Sequence, residues 1–180
     1  MIFEVDNAAA NTMSYLKNIN MLLQYKAWAD ALTFQAVSNL PEGGAEKNRP
    51  TRFGNMVHTL NHIYVIDSIF KAHLLTKSHS YQDRNTENHP PLAKLSRQQK
   101  NINEWYIETT KSFSKADLGE IVKFKYVDGQ PGAMTRGDII NHVVNHGTYH
   151  RGFISDMMYQ VPATMPSNDL TVFLRDVYYD

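Results

Sequence analysis

The sequence predicts an all-α protein, an antiparallel four-helix bundle with a small β insertion before its last long helix. Three observations carry this prediction. Apolar residues recur at helical spacing in four long stretches. Proline, glycine or polar segments separate those stretches. The one passage with partial two-residue alternation, Ile121 to Val127, is short and runs into the turn pair Asp128-Gly129. A length of 180 residues sits close to a one-domain prior of roughly 150, so residues 1–180 are read as a single domain. A hydrophobic content of 42% and an aromatic content of 11% exclude a disordered chain.

The first helix is expected from about Asn18 to Asn39. Ile19, Leu22, Leu23, Tyr25, Trp28, Leu32 and Val37 form its amphipathic spacing, and Pro41 with Gly43-Gly44 stop it. Pro50-Thr51 reads as the entry to a second helix, N-capped by Thr51 and running to about Thr76. Residues 77–91 are polar and read as a long loop. A third helix follows from about Leu92 to Ser114, carrying Leu95, Ile102, Trp105 and Phe113. After the short strand or hairpin, Thr135 and Asp138 form a capping box that opens a fourth helix. That helix should reach about Gln160 and end before Pro162.

Charge and composition remove several function classes. Lys plus Arg and Asp plus Glu number 18 each, so the basic excess that phosphate binding demands is missing, and no nucleic-acid partner is expected. The chain has no cysteine, which excludes disulfides, thiolate-ligated metals and a cysteine nucleophile. The longest apolar run, Ile63 to Ile66, is far below the roughly 20 residues that span a bilayer. The stretch Met1–Asp6 is acidic where a secretory signal is basic. A cytoplasmic protein with no membrane partner is expected.

The eight histidines are the residues with chemistry to offer. His79 and His89 fall in the predicted loop and read as solvated. His58, His62 and His73 share one face of the second helix with Val65, Ile66 and Ile69; Phe53, Met56, Val57, Leu60, Ile63 and Phe70 form an opposite apolar stripe. A helix apolar on two sides is interior. His142, His146 and His150 step by four along the fourth helix, and His146 shares a stripe with Ile139, Val143, Phe153, Ile154 and Met157. The two histidine rows can therefore meet inside the bundle. Buried imidazoles need partners, and a divalent metal satisfies several at once; a backbone carbonyl or one of ten tyrosine hydroxyls is the structural alternative. His142 and His150 lie about 12 Å apart along a straight helix, too far to share one ion. The ligands must then be one adjacent pair plus a histidine of the second helix, and spacing does not choose between pairs.

At these residues the sequence resembles the DinB/YfiT-like family of metal-dependent bundle enzymes. The resemblance rests on Tyr25-Lys26-Ala27-Trp28-Ala29-Asp30, on Thr59-Leu60-Asn61-His62-Ile63-Tyr64-Val65-Ile66-Asp67, and on Asn145-His146-Gly147-Thr148-Tyr149-His150-Arg151-Gly152. It spans about Ser14 to Leu174. Carried over by position, it implies a three-histidine metal site at His62, His146 and His150. Phe153 stands where glutamine is frequent in the family, and Phe70 where tryptophan is frequent. Arg151 projects about 100° from His150 and reads as an ion-pair or helix-end residue rather than a metal ligand, and Asp67 faces away from His62. Trp28 and Trp105 read as core or interface aromatics, and Met157 and Met158 as packing.

Three neutral histidines with no carboxylate suit Zn, Ni or Fe rather than Mg or Ca. Three protein ligands leave a position open for water or substrate. The resemblance implies a metal-dependent enzyme on a small-molecule substrate, a thiol-dependent S-transferase or a hydrolase, with a low-molecular-weight thiol as cosubstrate. The competing expectation is a non-catalytic, stress-associated metal-binding bundle acting through dimerisation or ligand binding. A homodimer is expected because zero net charge puts little repulsion between copies and relatives are often dimeric.

Overall fold

The computed structural model describes residues 3–161 and 163–179, with side chains from Tyr15 onward. Four long helices carry the fold: α1 (Phe3–Ser38), α2 (Met56–Leu74), α3 (Leu92–Lys111) and α5 (Arg136–Met158). Between α3 and α5 lie a one-turn helix, α4 (Lys115–Gly119), and an antiparallel hairpin of β1 (Ile121–Lys125) and β2 (Pro131–Thr135). Its register pairs Ile121 with Thr135 and Lys125 with Pro131, and Gly129 turns the chain at φ 85°. A short α6 (Leu170–Phe173) runs into a single π turn, Leu174–Tyr178. Among the described residues no helix is long and apolar enough to cross a membrane.

Helix directions follow from the contacts. Asn20 reaches Ile107 while Lys26 reaches Asn103, so α1 runs antiparallel to α3. His62 meets His146 while Phe70 meets His142, so α2 runs antiparallel to α5. Asp30 bonds Arg151 and Tyr15 approaches Gly137, which places α1 and α5 side by side in the same direction. The passage from α2 to α3 must therefore return along the bundle. Residues 75–91 do so, lying against α2.

The bundle interior has two apolar cores with a polar layer between them. One core joins Ile19, Leu23, Ile66, Phe70, Ile102, Tyr106, Ile139 and Val143 with the hairpin's Val122. The other joins Phe34, Val37, Met56, Leu60, Leu95, Ile154 and Met157. At the level between them each helix turns polar in its interior-facing stripe: Lys26 and Asp30, His62 and Asp67, Gln99 and Asn103, His150 and Arg151, all buried.

Several element boundaries differ from expectation, each for a local reason. α1 begins upstream of Asn18. α2 begins five residues after Thr51, because Gly54 sits at φ 73° and breaks the helical path, and Asn55 then caps it by accepting from the His58 amide. α2 ends at Leu74, before Thr76 turns into the left-handed region at φ 51°. α3 stops at Lys111, and Ser114 is the N-cap of α4, in a capping box with Asp117. The Thr135–Asp138 box opens α5 as expected, with both reciprocal bonds present. α5 ends at Met158; Pro162, the expected stop, lies outside the described residues.

Candidate metal centre

His62, His146 and His150 converge, each offering a ring nitrogen, with those atoms within 4.8 Å of one another. The Nε2 atoms of His62 and His146 are 3.1 Å apart. Two nitrogens held at 2.0–2.1 Å on one tetrahedral ion sit about 3.3 Å apart, so this approach is close to ligand spacing. The rings of His150 lie 4.5 Å from His62 and 4.3 Å from His146.

The tautomer of His62 is set by the return loop. Its Nδ1 is 2.7 Å from the Arg84 carbonyl, which can only accept, so Nδ1 carries the proton and Nε2 keeps its lone pair toward the other histidines. The loop is pinned there by the helix it crosses. Asn61 donates to Asn85 and Thr86, and Asn85 donates to the His58 carbonyl.

Burial holds the three imidazoles neutral. Desolvation, reinforced by neighbouring positive groups, pushes His146 down to about 2 and His150 down to about 4, and lowers His62 as well. Nδ1 of His146 and of His150 are buried without a hydrogen-bond partner. No carboxylate stands in the triad. Three neutral nitrogen donors, with two of those nitrogens 3.1 Å apart, fit a divalent transition metal and not Mg or Ca.

The expectations for the other histidines divide. His142 lies 4.5 Å from Phe70 and 5.5 Å from His146 in ring-centre terms, outside the triad. His73 stacks on Phe124 at 4.4 Å, and His58 stays outside the triad. His79 and His89 are half-buried rather than solvated, because the loop folds onto the bundle. His79 packs 5.4 Å from His73, and His89 sits against the Pro90 carbonyl.

Phe53, expected on an apolar stripe of the second helix, instead lies on the turn before α2. There its ring stacks on His62 at 4.8 Å and meets His150 edge-on at 5.0 Å. Phe153 stacks on His150 at 5.8 Å, and Tyr149, 65% exposed, packs against both.

Behind the triad is a buried ion network. Lys26 Nζ donates to Asp30, Asp67 and Asn103 at 2.7–2.9 Å, and Arg151 donates to Asp30 at 2.8 Å. Gln99 adds a bond to Asp67, and Asn103 one to Asp30. Its four charged groups balance, which is what permits their burial. Gly147 lets this network pack beneath α5: a Cβ there would stand 3.1 Å from both Arg151 Nη1 and Lys26 Cε. Of the two roles its direction left open, an ion pair and a helix-end contact, Arg151 takes the ion pair, and Asp67 serves Lys26 rather than the histidines. Sequence reasoning missed Lys26 and Asp30 as a pair. The available signal was two charges, four apart, inside the stripe Ile19-Leu23-Phe34-Val37.

Comparison with known proteins agrees with this architecture. A crystal structure of a DinB-like protein from Bacillus cereus ATCC 10987 superposes with a TM-score of 0.61 at 18% identity, covering 81% of this chain and 94% of that one. The protein DinB of Bacillus subtilis strain 168 is 24% identical over 159 residues, covering 85% of this chain and 91% of its own. The family model for the DinB family matches residues 13–176. On that match, which takes in most of α1, the whole of α2, α3 and α5 and the histidine triad, the chain belongs to the DinB family.

Proposed function

We propose that this protein is a metal-dependent enzyme acting on a small molecule, a thiol-dependent transferase or a hydrolase. The observation that carries the reading is the convergence of His62, His146 and His150, three neutral nitrogen donors without a carboxylate. A divalent metal bound there supplies Lewis acidity, which lowers the pKa of a water or thiol that reaches it.

The chain's own residues supply the rest. The Arg84 carbonyl keeps the proton of His62 on Nδ1. Phe53 and Phe153 cover the imidazoles with apolar rings and keep water from one side of the triad. The Lys26–Asp30–Arg151 network fixes the rotation of α5 and so the aim of His146 and His150. Because the chain contains no cysteine, a thiol reactant must arrive as a second small molecule.

The test is to assay metal-loaded protein with several cellular low-molecular-weight thiols and a generic electrophile, beside the His150→Ala variant. Faster turnover by the parent chain with at least one thiol is expected. Equal rates with every thiol contradict the transferase reading and leave hydrolysis or a non-catalytic metal-binding bundle.

A further inference from the structure

Between α1 and α3 lies a cavity of about 360 Å³, within the size range of small-molecule sites. Every residue lining it belongs to one of those two helices, so it stands apart from the triad between α2 and α5. Ala27 and Ala31, one turn apart on α1, leave space that larger side chains would fill, and with Phe34 they form an apolar wall. The polar wall is Asp30 with Gln99 and Asn103 of α3. Those three side chains are 1–5% exposed and belong to the buried ion network rather than to the surface.

Hydrogen-bond accounting on the polar wall leaves one group over. Gln99 Nε2 donates to Asp67 Oδ2 at 2.7 Å and to Asn103 Oδ1 at 3.1 Å, and Asn103 Nδ2 donates to Asp30 at 2.9 Å. Gln99 Oε1 is buried and accepts from nothing. Native interiors rarely leave a buried acceptor without a donor, because its desolvation is then uncompensated. Turning the amide over gives no relief, since Oε1 would then face Asp67 Oδ2 and Asn103 Oδ1, both acceptors. The other unpartnered oxygen of the layer, Asp67 Oδ1, lies off the cavity. Charge favours neither sign of ligand. Asp30 is already paired with Lys26 and Arg151, and Glu104 at the mouth stands 3.8 Å from Lys100.

We propose that this cavity is a second binding site, for a small neutral molecule that presents a hydroxyl or N–H donor to Gln99 Oε1 and lays an apolar body against Ala27, Ala31 and Phe34. The ligand must be the donor, because the wall's own donors are spent inside the network. The site does not depend on the triad holding a metal.

Titration of the full chain by NMR tests this without any turnover. The probes are phenol, anisole, which keeps the ring but lacks the hydroxyl hydrogen, and the benzylammonium cation. Phenol should shift the side-chain amide of Gln99 and the backbone amides of Ala31 and Phe34. It should bind about fivefold more tightly than anisole, the worth of one neutral hydrogen bond, and more tightly than benzylammonium. Ala31→Leu, at an exposed position of α1, fills the cavity and should abolish phenol binding in a chain that folds as before. Gln99→Met should erase the preference for phenol over anisole; if loss of its bond to Asp67 prevents folding, Ala31→Leu carries the test. His150→Ala should leave phenol binding unchanged, which separates this cavity from the triad. Equal affinity for phenol and anisole, tighter binding of benzylammonium, or shifts confined to α2 and α5 overturns the inference. So does phenol binding that survives Ala31→Leu, or no binding of any probe.

Discussion

At His62 both ring nitrogens are committed: one donates to Arg84, and the other faces His146 and His150. The pH dependence of the molecule follows from such residues. His146, His150 and His73 are pushed by burial to about 2, 4 and 4, against an ordinary value near 6.5. The unfolded chain therefore takes up protons as pH falls through 6.5, while the folded chain refuses them until about pH 4 or below. Stability should be flat above about pH 7 and fall steadily from 6.5 toward 4. Metal should be lost over the same window, since protons compete for the ligand nitrogens. Urea midpoints of the metal-free chain against pH check the first point, and a midpoint independent of pH over that range contradicts it. The histidines were legible in the sequence because i,i+4 spacing puts them on one helical face. Phe53 and the Arg84 carbonyl were not, since a turn and a return loop have no periodicity to read.

At the scale of elements, the turn before α2 decides where Phe53 lies. The Arg49 amide donates to the Gly54 carbonyl, and the Met56 amide to that of Ala45, so the segment is tied back on itself. Gly54 holds φ 73°, and a Cβ there would come within 2.7 Å of Asn48 Oδ1. Asn55→Ala should cost about 1 kcal/mol through loss of the cap. Gly54→Ala should cost more, because it adds left-handed strain to a steric conflict, and it should also loosen Phe53 over the triad. Denaturant unfolding ranks the two variants, and the reverse order contradicts this account of the turn. Thr51 was a plausible cap by residue type, yet positive φ at Gly54 moved the start to Asn55, and a backbone angle is not written in residue type alone. At Thr135 type and geometry agree, so that start was readable.

Across the whole molecule, the polar layer between two apolar cores is the organising feature. It places the triad on the α2–α5 side and the ion network on the α1–α3 side, with Arg151 and Gly147 joining them. Such a network contributes little net stability relative to an apolar layer, but removing one member strands its partners. Lys26→Met leaves Asp30 with Arg151 and Asp67 with no cation, and should destabilise the fold by roughly 3–5 kcal/mol. A loss under 1 kcal/mol by denaturant titration contradicts that role. The four long helices, the hairpin and the meeting of the histidine rows were legible because each depends on local periodicity, whereas the one-turn α4 and α6 are too short to show one. The pairing of α1 with α3, and the return loop that lets α2 and α3 run the same way, depend on contacts between distant segments.

His62, His146 and His150 together are expected to hold one divalent transition metal. Elemental analysis of protein purified without an affinity tag, beside His146→Ala, His150→Ala and the control His79→Ala, tests it directly. About one transition-metal ion per chain in the parent and the control, and none in the two triad variants, is the predicted result. No stoichiometric metal in the parent, or full occupancy retained without His146 or His150, would contradict it.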